Sequence, residues 1–336
     1  MMFREAAEAA SVVGAQLERN RKTVEWLGGR LRADAPRAVV TCARGSSDHA
    51  ATFAKYLVET RVGVLTASAA PSVSSVYGAR QDLAQCLFLA ISQSGQSPDI
   101  VANALAARQA GARVVALVND ESSPLALAAD HCLPLCAGEE KSVAATKSYI
   151  ASLAAITHLV AAWMQDARLL EALDALPGQL ERAWNLDWSA AVEPLASASH
   201  LFVIARGVGL GVAQEAALKC KETCALHAES FSSAEVRHGP QALMRPGMPA
   251  LFFAQDDDTR PGLEALAGEW AARGVGVIAA GCDTPGAIVL PTLAADAALQ
   301  PVLLAQSFYR LANALAIARG HDPDRPPNLR KITETT

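Results

Sequence analysis

The chain has 336 residues, 51% of them hydrophobic and 19% charged, with a formal net charge of −5 and an isoelectric point near 5.8. That much apolar material fills one large or two medium cores, and the acidic balance argues against nucleic acid as the main partner, since duplex binding normally leaves a basic patch or a basic pI. A small anionic substrate stays open, because a few local donors can hold a phosphate inside an acidic protein.

The opening MMFREAAEAA carries Glu early and lacks an apolar core, so no signal peptide is expected, and residues 1–32 read as one helix. Short apolar runs then alternate with helical patterns. Residues 37–41 (RAVVT), 62–68, 86–91 and 113–118 (RVVALV) predict strands, with a shorter one near 132–135. These runs are apolar throughout instead of alternating, which suits parallel strands covered on both faces. Helices are expected at 48–59, 71–77, 98–110 and 124–129, followed by a long Ala/Leu-rich helix from about 144 to 165. Its most apolar part, 151–164, is interrupted by Thr157 and His158 and is too short to span a bilayer. The expectation is therefore a cytoplasmic protein with no membrane segment. Residues 167–196 read as a helical linker punctuated by Pro177 and Gly178. Strands are expected again at 200–204 (HLFVI), 249–253, 275–279 and 287–290, and helices at 211–228, 261–273 and 300–319.

Strand–helix alternation of this kind predicts an α/β fold with doubly wound, mainly parallel sheets, divided into domains at 33–166 and 197–336. The two halves also echo each other. Ala43-Arg44-Gly45 ends the first strand of one and Ala205-Arg206-Gly207 ends the first strand of the other, each leading into an Ala-rich helix. A duplicated unit is expected. The seven cysteines are odd in number, and the pairs Cys132/Cys136 and Cys220/Cys224 suit one face of a helix but match no zinc spacing. Reduced thiols and no metal are the expectation.

Three segments carry candidate chemistry. Ser92-Gln93-Ser94-Gly95-Gln96-Ser97 follows a strand and precedes a helix, with Ser97 able to cap that helix and Pro98 suited to its first position. Hydroxyls, a carboxamide and free N–H groups then stand at the positive end of a helix dipole, which suits an anion. An ordinary polar turn is the plain alternative. Gly45-Ser46-Ser47-Asp48 ends the first strand in the same manner, and residues 142–147 open the long helix with hydroxyls and Lys147. In an open α/β sheet such turns collect at the carboxyl ends of the strands, where ligands bind. The Gly-x-x-x-x-Gly-Lys-Ser/Thr pattern of nucleoside triphosphate sites is absent, and Gly207-Val-Gly209-Leu-Gly211 has the wrong spacing for a dinucleotide, so no cofactor is expected. In the second half Glu215, Lys219 and Glu222 fall at i, i+4 and i+7 and share one helix face, which reads either as a solvated salt-bridged face or as a site. The stretch 227–240, dense in His, Glu and Ser, reads as a loop lining that site.

Taken in order, Lys219-Cys-Lys221-Glu222, His227-Ala228-Glu229 and Glu235-Val-Arg237-His238-Gly239-Pro240 resemble the isomerase half of the glucosamine-6-phosphate synthase family. Ser92-Gln93-Ser94-Gly95 and Val143-Ala144-Ala145-Thr146-Lys147 are similar to that family's phosphate loops, and Asn328-Leu329-Arg330-Lys331 to its C-terminal tail. The resemblance covers residues from about 40 to 331 and implies two tandem sugar isomerase (SIS) domains, each a three-layer αβα sandwich. It further implies that Ser47, Ser92, Gln93, Ser94 and Ser97, with Val143 and Lys219, hold a sugar phosphate. Glu222 would be the base that moves a proton between C1 and C2. His238, supplied by the neighbouring subunit of a homodimer, would assist ring opening, and Lys331 would capture the open-chain carbonyl. Each role is chemically sensible for its side chain.

Two departures stand out. Ala145 occupies the place of a phosphate-binding serine, and Arg44 replaces a small residue, which either adds a cation near the ligand or reshapes the pocket. A third concerns the N-terminus, where Met1-Met2-Phe3 leads directly into the sugar-binding half and no glutamine-hydrolysing half is seen. The expectation is thus the reverse reaction, an aminosugar-phosphate deaminase that converts glucosamine 6-phosphate to fructose 6-phosphate and ammonia. Action on another amino- or amine-linked sugar 6-phosphate is the nearest alternative. A non-catalytic sugar-phosphate-binding regulator is the alternative from a different class.

Overall fold

The computed structural model describes residues 1–331, so the domain end expected at 336 lies outside the described residues. The chain runs α1 (Met2–Ala7), α2 (Ala9–Ala33), β1 (Ala38–Cys42), α3 (Ser46–Arg61), β2 (Thr66–Ser68), α4 (Ser72–Ser75), β3 (Cys86–Ser92) and α5 (Pro98–Gln109). It continues through β4 (Arg113–Val118), α6 (Pro124–Ala128), β5 (His131–Pro134), α7 (Lys147–Met164), α8 (Ala167–Trp184) and α9 (Val192–Ala196). The remainder is β6 (His200–Ala205), α10 (Leu210–Cys224), β7 (His227–Ser232), β8 (Pro249–Phe253), α11 (Arg260–Ala272), β9 (Gly276–Ala280), β10 (Ile288–Leu290) and α12 (Gln300–Ala318).

Two compact units result. One comprises Ser11–Glu140, Lys147–Pro177 and the tail from Arg330, and the other Met1–Ala10, Lys141–Thr146 and Gly178–Leu329. The first holds a five-stranded sheet ordered β2-β1-β3-β4-β5, parallel throughout. All seven residues of β3 are buried, as an apolar strand covered on both faces requires. Its core gathers Phe88, Ile100, Val114, Val118 and Leu125. The second unit holds a sheet ordered β10-β9-β8-β6-β7, also parallel, around Phe252, Leu263, Trp270 and Val277. Counted from its own first strand, that sheet has the same order as the first. The echo of Ala-Arg-Gly therefore marks a duplicated topology.

The structure departs from the sequence reading at several points. The N-terminal segment is two helices with a break at Glu8, and the Ala6 carbonyl at the end of the first accepts Gln306 Nε2 at 2.9 Å. Residues 227–232 form a strand where a loop is expected: β7 pairs with β6 along one side only. An edge strand of this kind tolerates the exposed His227 and Glu229 while burying Ala228, so its composition reads as polar. Cys132 lies in β5, so it shares no helix face with Cys136, whereas Cys220 and Cys224 do sit in α10. All seven thiols are free, and burial pushes Cys42 up to about 12 and Cys132 and Cys282 up to about 11. No helix among the described residues is long and apolar enough to cross a membrane.

Candidate active site

In the first sheet the strand order reverses between β1 and β3, and in open α/β folds the crevice at that switch point collects ligands. Both hydroxyl-bearing turns flank it. The turn after β1 enters α3 through Gly45, with Ser47 half-buried on the first turn. The turn after β3 runs over residues 92–97 into α5. Ser92 is buried, and its Oγ accepts the Gly95 N–H at 3.1 Å, while Ser94 Oγ accepts Gln96 N–H at 3.3 Å. Gly95 holds a left-handed φ of 64°, and a Cβ there would lie 2.2 Å from Ser123 Oγ, the cap of α6. Only glycine lets the loop fold so tightly. Ser97 occupies the N-cap of α5 without a side-chain capping bond, which leaves first-turn N–H groups directed outward from the helix. Donors, dipole and crevice coincide, as an anion site requires.

Arg44 settles into this arrangement as an ion pair. Its Nε and Nη2 donate to Asp99 Oδ2 at 3.0 and 2.8 Å, and the Asp99 side chain is fully buried in the first turn of α5. The guanidinium thereby ties the turn after β1 to the helix after β3.

In the other unit α10 carries Glu215, Lys219 and Glu222 along one face. Lys219 is fully buried, with Nζ 2.5 Å from Glu222 Oε2 and 3.4 Å from Glu215 Oε1. Tyr309 of α12 donates its hydroxyl to Glu215 at 3.1 Å. Burial alone would push the Lys219 amine down, but the carboxylates of Glu215 and Glu222 outweigh it and hold it above the usual lysine value. The solvated-face alternative is thereby overturned for this triad. Glu222 alone of the three reaches out: its side chain is 19% exposed, and it borders a cleft of about 470 Å³ shared with Lys221, His321, Asp322 and Arg325. The segment after α12 forms the far wall of that cleft, a contribution that sequence reasoning missed.

His238 is exposed at the end of a short 3-10 turn and does not border that cleft. Lys331 lies in the other unit, where its Nζ approaches Glu140 Oε2 at 3.4 Å. Glu140 is buried and also accepts the Ser148 hydroxyl at 2.6 Å and the Ser148 N–H at 3.3 Å. Neither Glu140 nor Glu5 was legible as a site residue. Glu5 is buried on α1 and accepts the N–H groups of Lys141 at 2.6 Å and Ser142 at 3.1 Å, which fixes the backbone leading to Val143. Val143 itself is half-buried, and Ala145 contributes no hydroxyl. Among the described residues no group of three or more His, Cys, Asp or Glu side chains could hold a metal ion.

Comparison with known proteins decides the family. The SIS domain matches residues 33–162 and 194–289, one match on each sheet. The chain belongs to the SIS domain family. A Silicibacter pomeroyi protein provisionally described as a phosphosugar isomerase is 44% identical, covers 96% of this chain and 99% of its own, and superposes with a TM-score of 0.92. The glutamine–fructose-6-phosphate aminotransferase (isomerizing) of Aeropyrum pernix is 35% identical over 321 residues, which is 90% of this chain and 51% of the relative. The chain thus spans about half the length of the curated relatives it matches. Thermotoga maritima glucosamine-6-phosphate deaminase covers 99% of both chains with a TM-score of 0.80, and at 20% identity it speaks for the fold alone.

The duplication of the SIS fold makes the two switch points directly comparable. Gly45 and Gly207 follow the first strand of each sheet with φ of 55° and 61°. Nothing stands within 4 Å of a Cβ built on Gly45, whereas one on Gly207 would meet Thr259 Cγ2 at 3.4 Å, Gln255 Nε2 at 3.5 Å and Asp257 Oδ2 at 4.0 Å. The Gln255 amide donates to the Arg206 carbonyl, Asp257 and Thr259, all between 2.8 and 2.9 Å. The second SIS unit has therefore filled its own crevice with a carboxamide and a carboxylate. Where the first offers Ser-Gln-Ser-Gly-Gln-Ser, the second offers Gln255-Asp256-Asp257-Asp258-Thr259, which repels phosphate. The crevice beside Gly45 has open space and the one beside Gly207 does not.

Proposed function

We propose that this SIS protein is a phosphosugar isomerase acting as an aminosugar-phosphate deaminase, which converts glucosamine 6-phosphate and water to fructose 6-phosphate and ammonia. The phosphate is held by Ser47, Ser92, Gln93, Ser94 and Ser97 together with α5, and the sugar is further contacted at Val143. His238 of a second copy of the chain assists ring opening. Glu222 takes the proton from C2 of the open-chain aldehyde and returns it to C1, as the C1 oxygen gains a proton and the C2 amine loses one, giving the C2 imine of fructose 6-phosphate. Water adds to that imine, and ammonia leaves as the C2 carbonyl forms. Lys331, paired with Glu140 at 3.4 Å, takes the role of reversible capture of the open-chain carbonyl. Lys219 holds its ammonium against Glu222, which fixes the carboxylate at the mouth of the cleft where a base is needed.

The observation that best supports this reading is the buried Lys219 held between Glu215 and Glu222, with Glu222 alone opening onto a cleft. A merely structural ion pair gains nothing from leaving one carboxylate at a cavity mouth. The 44% and 35% identical relatives are described as a phosphosugar isomerase and an isomerizing aminotransferase of fructose 6-phosphate, which supports isomerisation of a sugar phosphate. The test is direct: purified protein is mixed with glucosamine 6-phosphate, galactosamine 6-phosphate and fructosamine-type 6-phosphates, and ammonia and ketose phosphate are measured. Stoichiometric ammonia and fructose 6-phosphate from the first are expected; no turnover of any of them at any pH overturns the proposal.

A further inference from the structure

We propose that Arg44 is a phosphate-binding residue, a cation preset by Asp99 at the mouth of the loop formed by residues 92–97. The ligand is taken from the proposed sugar-phosphate reading, and the proposal adds to it the one full positive charge that the loop itself lacks. Both donated bonds, at 3.0 and 2.8 Å, go to a single oxygen, Oδ2 of Asp99, and they engage Nε and Nη2. A guanidinium has five N–H donors in a rigid fork, so three remain for an anion. The Arg44 side chain is 52% exposed while its anchor is fully buried, so the head is fixed on one side and open on the other. The anchor is the second residue of α5, whose first-turn N–H groups and dipole face the same crevice. The adjoining Gly45 has open space where its counterpart in the second SIS unit is filled. Arginine held this way loses little rotamer entropy on binding and suits the bidentate geometry of a phosphate.

The competing explanation is that Arg44 only neutralises a buried carboxylate. Binding of inorganic phosphate by calorimetry to the full chain separates the two, using Arg44→Met, Asp99→Asn and the double variant, with thermal unfolding followed in parallel. One charge-assisted contact corresponds to roughly 10-fold to 100-fold in affinity. Arg44→Met is expected to weaken phosphate by that factor. Asp99→Asn, which keeps the cation and frees it, is expected to stay within about threefold of the parent. The double variant is expected to remain as weak as Arg44→Met. If the double variant instead regains parental affinity, or Arg44→Met binds phosphate unchanged, the proposal is overturned. A parent protein that binds no phosphate overturns it together with the sugar-phosphate reading. Phosphate binding that depends on Arg44 in a protein that turns over no aminosugar phosphate supports the proposal and overturns only the proposed function.

Discussion

Replacing Lys219 by methionine is the perturbation whose consequence the structure sizes most directly. The amine is fully buried, 2.5 Å from Glu222 and 3.4 Å from Glu215, and the Glu215 side chain is 1% exposed. Methionine fills much the same volume, so the change removes the charge and leaves the cavity occupied. Both carboxylates then lose that cation; Glu215 keeps the Tyr309 hydroxyl at 3.1 Å, and Glu222 still faces its cleft. Breaking a buried pair by removing one partner costs about 3–5 kcal/mol, a third or more of the roughly 5–15 kcal/mol that holds a domain together. Urea unfolding followed by tryptophan fluorescence and circular dichroism is expected to show a loss of that size. The pH dependence has a definite sign. A lysine whose folded pKa is raised contributes stability that is fully present below its unfolded value, near 10.4, and is lost only as pH rises through the folded one. The deficit of Lys219→Met is therefore expected to be flat from pH 6 to 9. Adding Glu215→Gln removes one of the two carboxylates that face the amine and is expected to restore at least about 1 kcal/mol. A loss below about 1 kcal/mol for Lys219→Met, or no recovery in the double variant, would refute the reasoning.

Three further expectations follow from other parts of the chain. Gly95→Ala forces a side chain into a φ of 64° and within 2.2 Å of Ser123 Oγ; a stability loss of roughly 1–3 kcal/mol and weaker phosphate binding are expected, read by thermal unfolding and calorimetry. His158 is buried in α7, and burial lowers its pKa to about 4. Its neutral form stabilises the fold above pH 6.5, and this contribution, on the order of 3 kcal/mol, is lost as pH falls toward 4, so His158→Leu is expected to flatten the acid limb of a stability–pH curve. Glu5→Ala removes the acceptor of the Lys141 and Ser142 N–H groups; hydrogen exchange at those two amides is expected to accelerate by roughly 10-fold or more, and Glu5→Gln to retain part of the protection.

Much of this architecture was legible because fully buried parallel strands leave unbroken apolar runs, and β3, β4, β6 and β8 all announce themselves in that way. The edge strand β7 did not, since one side of it pairs with nothing in the sheet and its residues need not be apolar. The serine loop was legible for a local reason: its hydroxyls, its glycine and its helix start are contiguous. Glu215, Lys219 and Glu222 were legible as one face, yet spacing could not tell whether water or protein covers that face. Only the packing of α10 shows that Lys219 is sealed and Glu222 is not. Glu5, Glu140, Tyr309 and the segment bearing His321 act across long sequence separations, and no local pattern marks them. Arg44 is intermediate, since it stood out as unusual but its partner Asp99, 55 residues away, is fixed by the strand order.

The central claim is that Glu222 moves the substrate proton while other residues hold the sugar phosphate. It is tested most directly by Glu222→Gln, comparing kcat for glucosamine 6-phosphate with the Kd for fructose 6-phosphate in the same preparation. General-base catalysis is worth roughly 10²- to 10⁴-fold, so a kcat loss in that range is expected, with Kd within about threefold of the parent. A kcat that is unchanged, or a Kd that weakens as much as kcat falls, would contradict the account.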